Sequence, residues 1–247
     1  MESVLDRVIK QNTENVNLLK TKDYNIFSVL QIQSKEVLIC RMIADLLNPR
    51  GQHGAGAEYL KIFLRDCLGM EKMDTKLADQ AIVTAEYPID DERRIDIVIE
   101  IGSYFLPIEV KIYAADQKSQ CFDYYQYAKR RDAQAKVYYL TLDGHRPGKD
   151  STSSGSQSVP EEDIVCLSFR EHILNWLKAC KNCGNTGMIP ILEQFIRNIE
   201  QISGYTSERV RSMVIDELLT SGDSLRAGMQ IADSINAAKA KRFCSKL

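Results

Sequence analysis

Apolar residues recur at helical spacing through the first part of the chain. The clearest run extends from Asn25 to Leu47, and Asn48-Pro49-Arg50-Gly51 ends it. A second helix is predicted from about Ala57 to Leu68, and looser helical spacing covers about Leu5 to Leu19. The chain therefore begins with helices rather than strands.

The middle of the chain changes to the alternating pattern of β-strands. A strand is predicted from Ala81 to Glu86, a hairpin from Arg94 to Ile112 and another strand from Lys136 to Leu142. A helix from about Gln117 to Arg131 separates the hairpin from that strand. A strand, a helix and a strand in this order predict a right-handed crossover, with the last strand parallel to the one before the helix.

The remainder is predicted to be a loop, one strand and helices. Residues Asp143 to Pro160 are rich in Gly, Ser and Pro and predict a flexible loop, and Asp163 to Phe169 is a candidate strand. After Arg170 the pattern is helical, with an amphipathic tail from about Thr206 to Lys246. Since no clean boundary is found, we expect one domain over 1–247, with a core at about 25–204 and a helical C-terminal extension at about 205–247.

Composition adds few constraints. The 247 residues are 44% hydrophobic and 27% charged, as in ordinary globular proteins, and the net charge is -2. A nucleic-acid site would therefore be a local patch rather than a basic whole-protein field. Seven cysteines, no signal peptide and no apolar run of about 20 residues predict a reduced, cytoplasmic protein without a membrane span.

The hairpin carries the most informative polar residues. If Gly102-Ser103 is its two-residue turn, Ile101 faces Tyr104, and counting back places Asp96 opposite Glu109. Alternation then puts Lys111 on the face of Glu109, opposite Arg94. Directly opposed carboxylates are destabilising unless something neutralises them, and oxygen ligands of this kind suit Mg²⁺ or Mn²⁺.

These residues fit the chemistry of phosphodiester hydrolysis. Asp96 and Glu109 could bind the metal, helped by the Val110 carbonyl if the strand edge exposes it. Lys111 could orient a water molecule or stabilise the pentacovalent phosphorus, and two neighbouring carboxylates would keep it charged, which disfavours a general-base role. The alternative is three ordinary charges on the solvated face of a hairpin, although charges inside such apolar strands are costly unless they are paired.

Several motifs together resemble the PD-(D/E)xK nuclease superfamily. They are Asp96 with Glu109-x-Lys111, the Gln120-x-x-x-Tyr124 helix after the hairpin, and the strand and turn Tyr139 to Gly144. The stretch Glu36 to Gly56, with its Leu-Leu-Asn-Pro-x-Gly-x-His-Gly-x-Gly loop, is similar to the opening of one bacterial branch of the family. The resemblance covers roughly Asn25 to Trp176, and more weakly extends to about Gly204.

The resemblance implies a fold, a reaction and further site residues. The fold is a restriction-endonuclease-like α/β core, a mixed central β-sheet flanked by helices. The activity is Mg²⁺-dependent (or Mn²⁺-dependent) cleavage of nucleic acid, most often DNA. Asp96, Glu109 and Lys111 take the signature positions, and Glu36 matches a helix glutamate that supports the metal directly or through water. Gln120 and Tyr124 match positions that line the site.

Some positions depart from the family pattern or allow a simpler reading. Ile95 replaces the signature proline, Cys121 replaces a leucine and Asp45 replaces an aromatic residue. Gln120 and Tyr124 share a helix face, which could also be a polar face with one core tyrosine. A mid-helix glutamate such as Glu36 could equally face solvent.

Three other features are weaker candidates for a metal or nucleic-acid site. Cys180-x-x-Cys183 has metal-ligand spacing, but without a second such pair free thiols are the preferred interpretation over zinc. His53 could lie near phosphate, although such a histidine more often fills a turn. Lys129-Arg130-Arg131 could grip a nucleic-acid backbone or simply complement a helix end.

Two functions from different classes remain at this stage. The first is a metal-dependent nuclease, and the second is a non-catalytic nucleic-acid-binding or partner-binding module of a defence or mobile-element system. The C-terminal helices could pack on the core or form the face of a homodimer.

Overall fold

The structure is a computed structural model that describes residues 24–71, 73–183 and 185–204, and those of 215–232 other than 217, 227 and 231. The helical prediction for residues 5–19 lies outside these residues, as does most of the predicted tail. Residues 25–203 form one compact unit. A second unit consists of residues 1–24 and 204–247, and the expectation of a single domain stays a prediction.

The described elements begin with four helices, continue with three consecutive strands, and then mix helices and strands before the last helices. The first half contains α1 (Ile26–Val29), α2 (Glu36–Leu47), α3 (Glu58–Asp66), α4 (Thr75–Ala78), β1 (Ile82–Pro88), β2 (Arg94–Ile101) and β3 (Tyr104–Lys111). The second half contains α5 (Gln120–Arg131), β4 (Val137–Thr141), α6 (Lys149–Thr152), β5 (Ser153–Ser154), β6 (Gln157–Ser158), a 3₁₀ turn (Glu161–Asp163), β7 (Ile164–Ser168), a π-helical turn (Phe169–Ile173), α7 (Leu174–Cys183), a 3₁₀ turn (Thr186–Met188) and α8 (Ile189–Ile202).

The main sheet has five strands in the order β1-β2-β3-β4-β7 and is mixed. Strands β1, β2 and β3 are antiparallel neighbours, whereas β3, β4 and β7 run parallel. Helix α2 packs on the first three strands, and α5 packs on β3 and β4. The predicted mixed α/β fold, with a parallel strand after the crossover helix, is therefore confirmed.

The hairpin forms as its turn residues predict. Gly102 has a φ of 57°, a left-handed conformation that glycine adopts without strain, and Ile101 pairs with Tyr104. The β2–β3 ladder runs from that pair to Ile97 opposite Ile108 and stops there. The register is the predicted one, but the ladder ends before Asp96 reaches Glu109, so the predicted pairing of Arg94 with Lys111 does not form.

The helix predicted from Asn25 to Leu47 is two helices. Asn25 caps α1, its side chain accepting a hydrogen bond from the Phe27 amide at 2.9 Å. Gln31 then takes a left-handed φ of 56°, which a continuous helix cannot contain, and the second helix restarts at Glu36. The apolar spacing continues across the break because both helices bury side chains, so periodicity alone did not reveal it.

The segment predicted as a flexible loop, Asp143 to Pro160, contains local structure. It holds the short helix α6 and the small β5–β6 hairpin. Ser119, at the start of α5, fixes this segment, since its amide donates to Asp150 O at 2.7 Å and its hydroxyl to Ser153 O at 2.8 Å. These contacts come from a distant part of the chain, so composition could not predict them.

The core lies between the sheet and its flanking helices. On the α5 side it includes Val98, Phe105, Tyr124, Ala128 and Tyr139, all buried. Burying apolar area of this kind is worth roughly 25 cal/mol per Å² and provides most of the stability that holds the strand ends in place. In the described part of the chain, none of the helices has the length and apolar character that crossing a membrane requires.

Candidate functional site

The acidic residues of the hairpin meet at the end of β3. The amide of Val110 has no β2 carbonyl to bond, because the ladder has ended, and it donates to Asp96 Oδ2 at 2.8 Å. Two residues along, the amide of Ile112 donates to Glu36 Oε2 at 2.8 Å. Carboxylates from β2 and α2 therefore flank Lys111, each held by a backbone N–H.

Glu109 is the most buried of these carboxylates. Glu109 is 1% exposed, and neither of its carboxylate oxygens accepts a hydrogen bond of good geometry from the described residues. Lys111 Nζ lies 2.6 Å from Glu109 Oε1, so the contact is an ion pair by distance although its angles are poor for a hydrogen bond. Buried polar oxygens without donors are uncommon in folded proteins. Both residues lie inside the protein, so the solvated-face alternative is wrong for them.

Burial raises the pKa values of two carboxyls of the site, Glu109 and Asp96, and so favours their neutral forms relative to solvated carboxyls. Burial, and then the charge of Asp96, raises the pKa of Glu109 well above its ordinary range, while Lys111 opposes the shift. Burial also raises the pKa of Asp96, with the Val110 amide and Lys111 acting in the opposite direction. Burial would lower the pKa of Lys111, but the charges of Glu109, Asp96 and Glu36 more than offset it and raise the pKa overall.

The residues present suit a divalent cation. In the part of the chain that is described, no three His, Cys, Asp or Glu side chains form a ready cluster that could hold a metal ion. The buried oxygens of Glu109 are nevertheless hard donors that accept no hydrogen bond of good geometry from the described residues, and Oε1 is paired with Lys111 Nζ at 2.6 Å. Hard oxygen donors of this kind are what Mg²⁺ and Mn²⁺ select.

Gln120 and Tyr124 lie one turn apart at the start of α5 and contact each other. Gln120 Nε2 donates to the Tyr124 hydroxyl at 3.1 Å, and that hydroxyl donates to Arg94 O at 2.6 Å. Burial, and then the charge of Glu109, raises the pKa of Tyr124. The structure thus brings the two α5 residues to the acidic end of the hairpin.

Three residues near the site were not predicted from the sequence. Glu86 in β1 has a left-handed φ of 55° in the gap of the β1–β2 ladder facing Asp96, and Arg41 of α2 lies 2.6 Å from its Oε2. Left-handed backbone at a non-glycine residue costs about 1–3 kcal/mol and often marks a functional site. Cys40, one turn after Glu36, is buried there, and burial followed by the Asp96 charge raises its thiol pKa. No local pattern in the sequence predicts the conformation of Glu86.

The weaker candidates from the sequence, His53 and the Cys180–Cys183 pair, lie in ordinary structural environments. His53 is buried, its Nε2 lies 3.0 Å from Asn48 O, and its Nδ1 accepts a hydrogen bond from the Ala55 amide at 3.1 Å. Its ring also stacks on Tyr59. These contacts stabilise the loop that contains His53. Cys180 is buried at the end of α7, while Cys183 is exposed, and both are free thiols.

The basic cluster Lys129-Arg130-Arg131 occupies the end of α5 away from the acidic site. Lys129 pairs with Asp163 at 3.2 Å, and the Arg131 guanidinium lies over the Phe105 and Tyr127 rings. These contacts stabilise the last turn of the helix, where cations also complement the helix dipole.

Comparison with known proteins identifies a family for this chain. Neither the curated proteins nor the solved structures include a significant match to this chain. The model of the PD-(D/E)XK nuclease superfamily matches residues 24–198, which are more than half of the chain and include every candidate site residue named above. The chain belongs to the PD-(D/E)XK nuclease superfamily.

Proposed function

We propose that the protein is a Mg²⁺- or Mn²⁺-dependent deoxyribonuclease that hydrolyses phosphodiester bonds. The observation that carries the proposal is Glu109, a buried carboxylate whose oxygens accept no hydrogen bond of good geometry from the described residues, beside Asp96 and Lys111 at the end of β3. Membership in a family of metal-dependent nucleases supports hydrolysis of phosphodiester bonds as the reaction. DNA as the substrate rests on the resemblance alone.

Asp96, Glu109 and Glu36 would hold the metal, together with the Val110 carbonyl. The amide of Val110 points to the β2 side, where the ladder has ended, and in an extended strand the carbonyl of the same residue points that way too. When bound, the ion supplies Lewis-acid polarisation of the phosphate and lowers the pKa of the attacking water. The hydrogen bonds from Val110 and Ile112 orient Asp96 and Glu36 and leave each carboxylate a second oxygen.

Lys111 supplies positive charge to the reacting phosphate. Its side chain is 7% exposed, and its ammonium stays charged at neutral pH, since the carboxylates raise its pKa. A fixed cation aimed at developing negative charge, in a site shielded from water, stabilises the transition state more than it would in bulk solvent. Gln120 and Tyr124 line the site and fix the backbone of Arg94 through the Tyr124 hydroxyl.

The experiment is a cleavage assay on plasmid, linear duplex and single-stranded DNA with Mg²⁺ or Mn²⁺. Wild type should cleave at least one substrate, and Lys111→Ala and Asp96→Ala should each lower the rate by about 10²–10³-fold. Lys76→Gln, an exposed change on α4, is the matched control and should keep the wild-type rate. Equal activity in all these proteins would overturn the assignment, and DNA binding by wild type without cleavage would favour a non-catalytic binding module.

A further inference from the structure

Three cations around the acidic site are each paired with a carboxylate of this chain. Lys111 lies 2.6 Å from Glu109, and Arg41 lies 2.6 Å from Glu86. Arg93 lies 2.7 Å from Asp123 through Nε. A phosphate that recruits one of these side chains must compete with an ion pair that already exists.

Arg94 and Lys118 differ from those three cations. Both are exposed, and within the described residues neither side chain has an ion pair or a hydrogen bond. Their backbones are nevertheless fixed. Arg94 O accepts the 2.6 Å hydrogen bond from Tyr124, and Lys118 O accepts one of 2.8 Å from Arg93 Nη2.

These contacts place the backbones of both residues beside the acidic site. Arg94 precedes Asp96 by two residues in β2, and the buried Ile95 lies between them, so Arg94 and Asp96 point to the same face, about 7 Å apart along the strand. Lys118 precedes Gln120 by two residues at the start of α5. Arg93 joins the two segments, because it follows the β1–β2 turn and bonds to the Lys118 carbonyl.

A nucleic-acid strand needs such groups in order to approach this site. Glu36, Glu86, Asp96 and Glu109 repel phosphates, and a bound metal offsets only part of their charge. An exposed cation without a partner gains a phosphate without losing an ion pair, and arginine can bind phosphate through two parallel N–H groups. Each phosphate neutralised in this way also releases condensed counterions, which makes binding depend on salt.

We propose that Arg94 and Lys118 bind the phosphodiester backbone next to the scissile phosphate and so position the strand across the metal site. This inference rests on the proposed nuclease function. It assigns to these two side chains a role in substrate binding, while the bond-breaking chemistry belongs to the acidic group and Lys111. Variants should therefore raise KM and leave kcat close to the wild-type value.

The test is fluorescence anisotropy of a labelled DNA duplex with full-length protein and Ca²⁺, which replaces Mg²⁺ to slow cleavage, at a series of salt concentrations. Arg94→Gln and Lys118→Gln should each flatten the slope of log K against log salt by about 0.9, and the double variant by about twice that. Arg94→Lys keeps the charge and should keep the wild-type slope. Arg130→Gln, at the far end of α5, is the control and should also keep it.

Three possible results distinguish a failure of this inference from a failure of the nuclease proposal. Wild-type slopes in Arg94→Gln and Lys118→Gln, with all proteins folded by circular dichroism, would overturn this inference and leave the nuclease proposal intact. A slope change in Arg130→Gln equal to theirs would overturn it as well, because the effect would then be non-specific. Wild type that binds DNA with the expected slopes but never cleaves it with Mg²⁺ or Mn²⁺ would support the two phosphate contacts and overturn the nuclease proposal.

Discussion

Lys111 Nζ lies 2.6 Å from Glu109 Oε1, and these two residues are the only buried ion pair at the acidic end of the hairpin within the described residues. Removing one partner of such a pair is strongly destabilising when the other is left as an uncompensated charge. Here the remaining carboxylate can instead take up a proton, since its pKa is already raised.

The first prediction concerns Lys111→Gln. We expect the metal-free variant to stay folded, because losing the Lys111 charge raises the pKa of Glu109 further and so favours its neutral form. The cleavage rate should fall by about 10²–10³-fold because the transition state loses a fixed cation. Rates with saturating Mg²⁺ and thermal unfolding in EDTA provide the two readouts. A variant that unfolds would show that the pair is structural, and a variant with the wild-type rate would remove Lys111 from the chemistry.

The second prediction concerns pH and Glu109. Because its pKa in the folded protein lies above that in the unfolded chain, the folded state binds more protons between the two values. The contribution of Glu109 to the free energy of unfolding of the metal-free protein should therefore be fully present below the unfolded pKa and be lost as pH rises through the folded one. Asp96 shifts in the same direction and adds to the slope.

Glu109→Gln should flatten this dependence and make the metal-free protein more stable than wild type at neutral pH. Urea unfolding in EDTA across the acidic-to-neutral range measures both effects. Glu162→Gln, an exposed glutamate of a 3₁₀ turn, is the matched control. A stability difference between wild type and Glu109→Gln that rises with pH in favour of wild type would show that Glu109 is stabilised as an anion, contrary to the upward shift of its pKa.

The third prediction separates the two roles of Glu36. Glu36→Gln can still accept the hydrogen bond from the Ile112 amide but lacks the negative charge, whereas Glu36→Ala loses both. We expect the glutamine variant to keep the wild-type stability and to bind Mn²⁺ about 10–100-fold more weakly, as changes around metal sites commonly do. Calorimetric titration measures this, and an unchanged affinity would make Glu36 a purely structural residue.

The fourth prediction concerns the Tyr124 hydroxyl. Tyr124→Phe removes the hydrogen bonds to Arg94 O and Gln120 Nε2, so we expect a loss of about 1 kcal/mol in the free energy of unfolding. Tyr113→Phe is the matched control, because that side chain is 69% exposed and should tolerate the change. Equal stability of the two variants, measured by urea denaturation, would mean that the Tyr124 hydroxyl contributes nothing to the site.

The hairpin was predictable because its determinants are local. Gly102-Ser103 fixes the register, and alternation then brings Asp96 and Glu109 to the same end of two neighbouring strands. The parallel pairing of β3 with β4 follows from the crossover rule for a strand, a helix and a strand. The sequence does not show that the ladder stops early, which is what frees the Val110 amide for Asp96.

Contacts between distant segments of the chain could not be predicted from the sequence patterns. Glu36 reaches the Ile112 amide 76 residues away, and neither helix nor strand periodicity encodes that distance. The left-handed Glu86 is stabilised by its surroundings against its own backbone preference. Arg93 forms an ion pair with Asp123 of α5, whereas the Arg94 side chain has no partner among the described residues. This difference depends on where α5 packs, which the sequence pattern does not show.

The most direct test of the metal site is the anomalous scattering of Mn²⁺ in crystals of the wild-type protein. We predict one strong peak at the end of β3, within coordination distance of Asp96 and Glu109 and with Glu36 contacting it directly or through water. Asp96→Asn crystals soaked in the same way should lose the peak. A wild-type crystal at saturating Mn²⁺ with no peak there, or with its peak elsewhere, would contradict the assignment of this acidic group as the metal centre.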